Sequence, residues 1–183
     1  MTATRDGEWV ARDDTVIYDS DWVRLVTTDV TLPDGTRVDH HVVRMPRPAV
    51  GTVMVADGSI LLLYRHRFIT DTWGWEIPAG GVDRGEEPAA AAIREAVEES
   101  GWEPRTVTPM CTFNPANGLL DQPFHIFVST DAVHRGEPTD LNEAARVEWV
   151  PIPEVRDLLV GGRIPDGLSF GAISFGLATD AFA

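Results

Sequence analysis

Residues 80–102 constrain the fold of this chain more than any other part of its sequence. A loop-like segment, 80–85, is followed by Pro88, which opens an alanine-rich run that continues to Ser100 and is followed by Gly101. Proline in the first turn and glycine just past the last turn are typical boundaries of an α-helix. The spacing predicts a helix over residues 88–100.

Three carboxylates lie at helical spacing on this predicted helix. Glu95, Glu98 and Glu99 are three or four residues apart, so they share one face. A solvated acidic face is the commoner explanation for such a helix in general, and Arg94 can offset only part of the charge. Clustered oxygen ligands are also what a hard cation such as Mg2+ requires, and the surrounding spacing favours this second interpretation.

The fixed positions of the segment match a known motif, G-x5-E-x7-R-E-U-x-E-E-x-G-U, in which U is an apolar residue. At the two apolar positions, Ala96 is smaller and Trp102 is larger than the usual aliphatic residue. This motif is the Nudix box, and the chain is identified by this resemblance as a member of the Nudix family. The matching fixed residues are Gly80, Glu86, Arg94, Glu95, Glu98, Glu99 and Gly101.

The resemblance implies an α+β fold, an α/β/α sandwich with a mixed β-sheet that holds the acidic helix. It also implies a hydrolase that uses Mg2+, with Mn2+ as a substitute, to activate water against a pyrophosphate. Glu86 and Arg94 would orient the ligand helix, and Glu98 would serve both catalysis and metal binding. The metal ligands on this pattern are the backbone carbonyl of Ala79 and the side chains of Glu95, Glu98 and Glu99.

Outside the box, residues 63–67, 75–80 and 142–150 resemble the ADP-ribose pyrophosphatase branch, which hydrolyses nucleoside diphosphate sugars to two phosphomonoesters. That resemblance implies that Arg67 and Glu76 line the substrate site. A surface arginine is an equally good explanation of Arg67.

Two further residues follow from the same branch. Glu143 matches a loop glutamate that contributes to water activation or metal binding, although an exposed loop acid is an equally good explanation. Asn117 lies in a loop, 113–118, that replaces the usual proline–glycine loop and would face the sugar or the base. Because His66 also stands where glutamine is common, ADP-ribose is one candidate substrate among several.

The remaining elements follow from local patterns. Pro33 to Thr36 and Asp57-Gly58 indicate hairpin turns, which predicts an N-terminal β meander and then a second group of strands. Further strands are predicted near 105–113, 124–129 and 146–150, and helices over 153–160 and 168–181. We expect residues 1–48 to form a β region that makes a homodimer, and 49–183 to form the hydrolase domain.

Net charge excludes one class of partner. The formal charge of the chain is -14, whereas a nucleic-acid-binding surface needs a basic footprint. A small phosphorylated substrate remains compatible, because carboxylate-held cations present positive charge to it. No apolar run is long enough to span a bilayer and the first residues lack a signal-peptide layout, so we expect no membrane association and a cytoplasmic protein.

Other functions remain to be separated from the leading one. A related enzyme would cleave nucleoside triphosphates, and a catalytically silent sensor would bind a nucleotide metabolite without hydrolysing it. Gly167 to Gly171 spells G-x-S-x-G, the esterase nucleophile elbow, but no histidine follows Ser169. The histidines show no zinc-ligand spacing.

Overall fold

The computed structural model describes residues 7–140 and 144–182, so Glu143 lies outside the described residues. In these ranges no helix is long and apolar enough to cross a lipid bilayer. The chain forms two compact units, Met1–Pro46 with Ala116–Gln122, and Arg47–Pro115 with Pro123–Ala183. The elements are β1 (Val10–Asp19), β2 (Arg24–Thr31), β3 (Arg37–Arg44), β4 (Ala49–Ala56), β5 (Ser59–Arg67), β6 (Thr72–Glu76), β7 (Ala79–Gly81), α1 (Pro88–Ser100), β8 (Trp102–Pro104), β9 (Thr108–Phe113), β10 (Phe124–Ser129), β11 (Ala132–His134), β12 (Arg146–Pro151), α2 (Ile152–Val160) and α3 (Gly167–Ala178).

The first unit contains the antiparallel sheet β1-β2-β3, so the predicted N-terminal meander is confirmed. The turn between β2 and β3 forms where Thr36 donates its backbone N–H to Asp34 Oδ1 at 2.9 Å, and Gly35 adopts a φ of 87°. Along β2, Val26 and Val30 are buried on one face, as strand alternation requires.

The second unit is built on a mixed sheet with the strand order β12-β5-β4-β10-β9, to which β6 adds beside β5 and β7 beside β4. β10 runs parallel to β4, while β5 and β7 run antiparallel to it. β7 therefore brings the start of the loop before α1 to the edge of a central strand. The predicted α+β class with a mixed sheet is confirmed.

Alternation along β4 distributes its side chains between two helical layers. Val53 and Val55 pack in one core with α2 and α3, whereas Val50 and Met54 pack on the side of α1. Between them, Thr52 donates its buried hydroxyl to the carbonyl oxygen of Ala92 in α1 at 3.0 Å. The sheet thus lies between helices, and it seats α1 through small side chains that permit close approach.

Helix α1 has the predicted bounds, Pro88–Ser100. Gly101 ends it in the left-handed region, with a φ of 72° and a backbone N–H bonded to the carbonyl of Val97 at 2.8 Å. A Cβ atom at this position would lie 2.0 Å from the carbonyl oxygen of Gly136, so both conformation and space require glycine here.

Ser169 has a structural position rather than that of a nucleophile. It is fully buried in the first turn of α3, where Asp166 caps the helix by accepting its backbone N–H at 2.8 Å. Its hydroxyl donates to the same carboxylate at 2.8 Å and accepts the N–H of Ile77 at 3.1 Å. These contacts tie α3 to the strand end that precedes the candidate site.

Candidate active site

The loop before α1 is fixed at both ends. Its first residues form β7, in which Gly80 pairs with Val50 and Gly81 pairs with Ala49 of β4. Farther along, Glu86 accepts the backbone N–H of Asp83 at 3.0 Å through its side chain. The loop is therefore held against the sheet and closed on itself before the helix begins.

Arg94 joins this loop to the helix. Its Nε donates to Glu86 Oε1 at 3.0 Å and its Nη2 to Glu86 Oε2 at 2.9 Å, while Nη2 also donates to the carbonyl of Gly81 at 3.0 Å. The arginine, and secondly the N–H of Asp83, holds the pKa of Glu86 below its usual range. A bidentate pair of this kind keeps its partners in one orientation.

The three glutamates of α1 lie at different depths. The side chain of Glu99 is 6% exposed and that of Glu95 16%, whereas that of Glu98 is 44% exposed. Burial, offset in part by Arg94, raises the pKa of Glu95. Glu98 is therefore the carboxylate of the three that solvent reaches most readily.

Each carboxylate has a nearby nitrogen partner. Arg94 Nη1 lies 2.8 Å from Glu95 Oε1 and 3.0 Å from Glu98 Oε2. Glu99 accepts the backbone N–H of Ala79 at 2.8 Å through Oε2, and its Oε1 lies 2.9 Å from Arg65 Nη2. The contact of Ala79 with Glu99 thus uses its backbone N–H, whereas the predicted ligand atom of Ala79 is its carbonyl oxygen.

A polar cleft of about 340 Å³ opens over these carboxylates, and its lining consists of Glu95, Glu98, Glu99, Thr139 and Asp140. The backbone N–H groups of Thr139 and Asp140 both bond to the carbonyl oxygen of Glu98, at 3.0 and 3.1 Å. The 139–140 segment is therefore anchored to the helix at the rim of the cleft.

The donor set of this cleft fits a divalent cation. Carboxylate oxygens are the ligands that Mg2+ prefers, and Arg94 and Arg65 together do not neutralise the negative charge of Glu95, Glu98, Glu99 and the neighbouring Glu86. Within residues 7–140 and 144–182, no three acidic, histidine or cysteine side chains are arranged so that they could hold a metal ion. The oxygens of these glutamates contact nitrogen donors instead. Glu95, Glu98 and Glu99, which the sequence predicts as metal ligands, all line this cleft, and their metal role stays a prediction.

The two predicted substrate residues of β5 and β6 contact each other. Arg67 donates to Glu76 through Nε at 3.0 Å and through Nη2 at 2.6 Å. The side chain of Glu76 is 2% exposed and that of Arg67 is 47% exposed. Arg67 is thus the member of this pair that presents polar surface to solvent.

Two further residues, Asn117 and Glu143, are predicted from the sequence as site residues. Asn117 is exposed and belongs to Ala116–Gln122, the segment that is part of the first compact unit. Glu143 lies outside the described residues. The contribution of Asn117 and Glu143 to a site stays a prediction from the sequence.

Sequence reasoning did not single out Arg65, which is 4% exposed and lies beside both Glu76 and Glu99. A signal for it is present in the chain. Leu61 and Leu63 precede it at alternate positions of β5, so strand periodicity places Arg65 on their buried face.

Comparison with known proteins decides the family. The model of the NUDIX domain matches residues 45–166. The chain belongs to the Nudix family. Nudix hydrolases act on small nucleotide derivatives and generally use divalent metal ions, and this chain is a Nudix hydrolase.

Two relatives and one solved structure are similar to this chain. The CMP-5'-(N-acetyl-N-hydroxy-3-aminopropyl)phosphonate hydrolase of Streptomyces rubellomurinus is 41% identical over 91% of this chain and 81% of its own length. The ADP-ribose pyrophosphatase of Bacillus subtilis is 29% identical over 76% of this chain and 74% of its own length. A crystal structure of an ADP compounds hydrolase superposes with a TM-score of 0.83 at 19% identity, covering 99% of this chain and 100% of that one, which confirms the fold.

Proposed function

We propose that this Nudix hydrolase uses Mg2+ to cleave the diphosphate bridge of a nucleoside diphosphate that is linked to another moiety, of the ADP-ribose or nucleotide-sugar type. The products would be two phosphomonoesters. The observation that carries the proposal is the acidic cleft on α1, whose three glutamates are held in place by the Arg94–Glu86 pair and by contacts to Ala79 and Arg65.

Electrostatics supports the need for a cation at this cleft. The chain carries a formal charge of -14, and several of its carboxylates line the cleft, where they would repel a diphosphate. Glu95, Glu98, Glu99 and the carbonyl of Ala79 would hold the ion. When bound, a divalent cation neutralises anhydride oxygens and lowers the pKa of water.

The side chains of the chain supply the rest of the chemistry. Glu98, the most exposed of the three glutamates, would accept the proton that water loses as its oxygen attacks phosphorus and the bridging bond breaks. Glu143 is the second candidate for this role. Arg94 and Glu86 keep the helix in register, so that the carboxylates stay aimed at the cleft.

Arg67 and Asn117 would bind the substrate away from the reacting atoms. The guanidinium of Arg67 is oriented by both oxygens of Glu76, while its own side chain remains 47% exposed. Such an arrangement leaves Arg67 able to donate to phosphate or sugar oxygens, with Glu76 orienting it. Asn117 would contribute an amide to the sugar or the base.

The relatives narrow the substrates to be tested. One relative is named for ADP-ribose and another for a CMP-linked phosphonate, so both names join a nucleotide to a second group. The 41% identity to the latter makes a cytidine nucleotide as reasonable a starting point as an adenosine nucleotide. For this reason we propose the type of bond that is cleaved and do not specify the nucleobase of the substrate.

A substrate panel tests the proposal. Purified protein would be incubated with Mg2+ or Mn2+ and ADP-ribose, sugar nucleotides, a CMP-linked phosphonate, dinucleotides and nucleoside triphosphates, with products resolved by chromatography and 31P NMR. We expect a nucleoside monophosphate from a linked nucleotide, and no product from the Glu98→Gln variant. Preferential release of pyrophosphate from triphosphates would contradict the proposal, and tight ADP-ribose binding without metal-stimulated turnover would identify a sensor instead.

We also propose that the protein is a cytoplasmic homodimer that associates through its N-terminal β region. Support comes from the first unit, where the strand β1 is exposed along most of its length and Val16, Ile17 and Tyr18 are each more than half exposed. Large apolar surfaces of this kind commonly mark interfaces. Sedimentation equilibrium should give twice the chain mass, and substitution of Ile17 and Tyr18 by aspartate should shift the protein toward monomer.

A further inference from the structure

Arg65 occupies the centre of a row of charged side chains beneath the cleft. Its Nη2 lies 2.9 Å from Glu99 Oε1, and its Nε lies 3.7 Å from Glu76 Oε2. Glu76 in turn accepts hydrogen bonds from Nε and Nη2 of Arg67. The row Arg67–Glu76–Arg65–Glu99 therefore connects the exposed end of β5 with helix α1.

The three inner members of this row are buried. The side chains of Arg65, Glu76 and Glu99 are 4%, 2% and 6% exposed, respectively. Burying charged groups carries a large desolvation cost, and an apolar residue of similar volume is often no less stabilising. The strand already uses leucine at Leu61 and Leu63 on this face, so an arginine at the next inward position is not explained by packing alone.

The geometry at Glu99 suggests what the arginine contributes. Glu99 Oε2 accepts the backbone N–H of Ala79, and Oε1 is paired with Arg65. Residues of two different strands therefore hold the two oxygens of the carboxylate. Each oxygen has a second lone pair that remains able to ligate a cation. These two contacts fix the plane of the Glu99 carboxylate and leave its oxygens able to ligate a cation.

We infer that Arg65 is a positioning residue for the metal ligand Glu99, an assignment that rests on the metal role proposed for that glutamate. Arg65 itself contacts neither substrate nor reacting atoms. It bridges Glu99 to Glu76, and through Glu76 it links the orientation of the metal ligand to that of Arg67. The guanidinium fork allows one side chain to reach both carboxylates at once, whereas a lysine ammonium is a single point charge.

The test measures Mn2+ binding by the full-length protein without any substrate, using titration followed by electron paramagnetic resonance of the free ion. Arg65→Lys keeps the charge and removes the fork, so a change in affinity reports geometry. Loss of an outer-shell partner typically weakens metal binding about 10-fold to 100-fold, and we expect Arg65→Lys to raise the Kd for Mn2+ by at least about 10-fold.

Two further variants separate the explanations. Thr52→Val removes a buried hydroxyl that bonds to Ala92 of the same helix, without touching any carboxylate, and should leave the Kd for Mn2+ unchanged. Glu99→Gln removes the proposed ligand itself and should weaken binding more than Arg65→Lys does. Urea unfolding in EDTA shows whether each variant is folded and how stable it is.

Each outcome is decisive. Arg65→Lys with wild-type Mn2+ affinity, while Glu99→Gln binds poorly, would overturn the positioning role and leave the proposed metal site intact. Equal weakening by Arg65→Lys and Thr52→Val would reduce Arg65 to a structural residue. Unaltered affinity in Glu99→Gln would remove the ligand on which the inference rests, and the proposed metal site would fail with it.

A measurement on the wild-type protein covers the case in which Arg65→Lys does not fold. The Nε–Hε resonance of Arg65, assigned from the backbone, would be followed during titration with diamagnetic Mg2+. We expect it to shift with the same apparent Kd as the backbone amide of Ala79, which donates to the same carboxylate. A resonance of Arg65 that stays fixed while that of Ala79 shifts would contradict the inference.

Discussion

Gly80 packs directly against the carboxylate of Glu95. A Cβ atom at residue 80 would lie 2.1 Å from Glu95 Cδ and 2.3 Å from each of its carboxylate oxygens, far inside van der Waals contact. The next residue, Gly81, has no atom within 4 Å of the equivalent position. A side chain at residue 80 would therefore force the carboxylate of Glu95 to move from its present position.

The Gly80→Ala variant should displace the side chain of Glu95. Misplacement of a catalytic group by about 1 Å can cost on the order of 10²-fold in rate, and we expect a loss of that order in kcat/KM. Gly81→Ala is the matched control, because it alters the adjacent residue without a clash, and it should retain activity within a few fold. Equal losses in the two variants would show that loop flexibility, not contact with Glu95, requires the glycine.

The Arg94→Lys variant should lose activity even though lysine keeps the positive charge. Lysine cannot reproduce the two-point contact with Glu86 and the bond to the carbonyl of Gly81, so loop and helix would lose their register. We expect kcat/KM to fall by about 10-fold to 100-fold. The measurement is steady-state kinetics at saturating Mg2+.

The control for this variant is Arg135→Lys. Arg135 pairs with Glu103 on the surface, where its side chain is 58% exposed, and pairs of this type contribute roughly 0–1 kcal/mol. Its kinetics and its free energy of unfolding should stay close to wild type. If both substitutions had the same small effect, the Arg94–Glu86 pair would not be orienting the helix.

Glu86 should make stability depend on pH in acid. Because Arg94 and the N–H of Asp83 lower its folded pKa, the native state favours the ionised carboxylate. The contribution of Glu86 to the free energy of unfolding is complete above the pKa of the unfolded state, near 4.5. It is lost as the pH falls through the lower pKa of the folded state. Urea unfolding in EDTA, from pH 7 to pH 3, should therefore show a steeper decline for wild type than for Glu86→Gln. Parallel curves would contradict this assignment of the shift.

Sequence reasoning predicted the site best where chemistry and local structure coincide. Pro88 and Gly101 gave the bounds of α1 because both act through the backbone of their own turn, and Gly101 is further required by the nearby carbonyl of Gly136. The pairing of Arg94 with Glu86 also followed from the motif. The motif does not indicate how deeply each glutamate is buried. In the structure Glu99 is buried, whereas Glu98 is exposed.

The sequence did not predict features that depend on contacts between residues far apart in the chain. β7 and β8 are three residues each, and they exist because β4 and β11 supply hydrogen bonds from other parts of the chain. So short a strand shows no alternation to detect. Arg65 was missed for a related reason, because its ion pair with Glu99 joins residues that only the packing of α1 on the sheet brings together.

In the proposed function, the glutamates of α1 hold the cation on which hydrolysis depends. The most direct test is kcat measured across a Mg2+ titration for wild type, Glu98→Gln and Glu99→Gln, with circular dichroism to confirm that each variant is folded. We expect both variants to lose orders of magnitude in kcat that saturating Mg2+ does not restore. Near-normal kcat in both folded variants at saturating Mg2+ would contradict the claim.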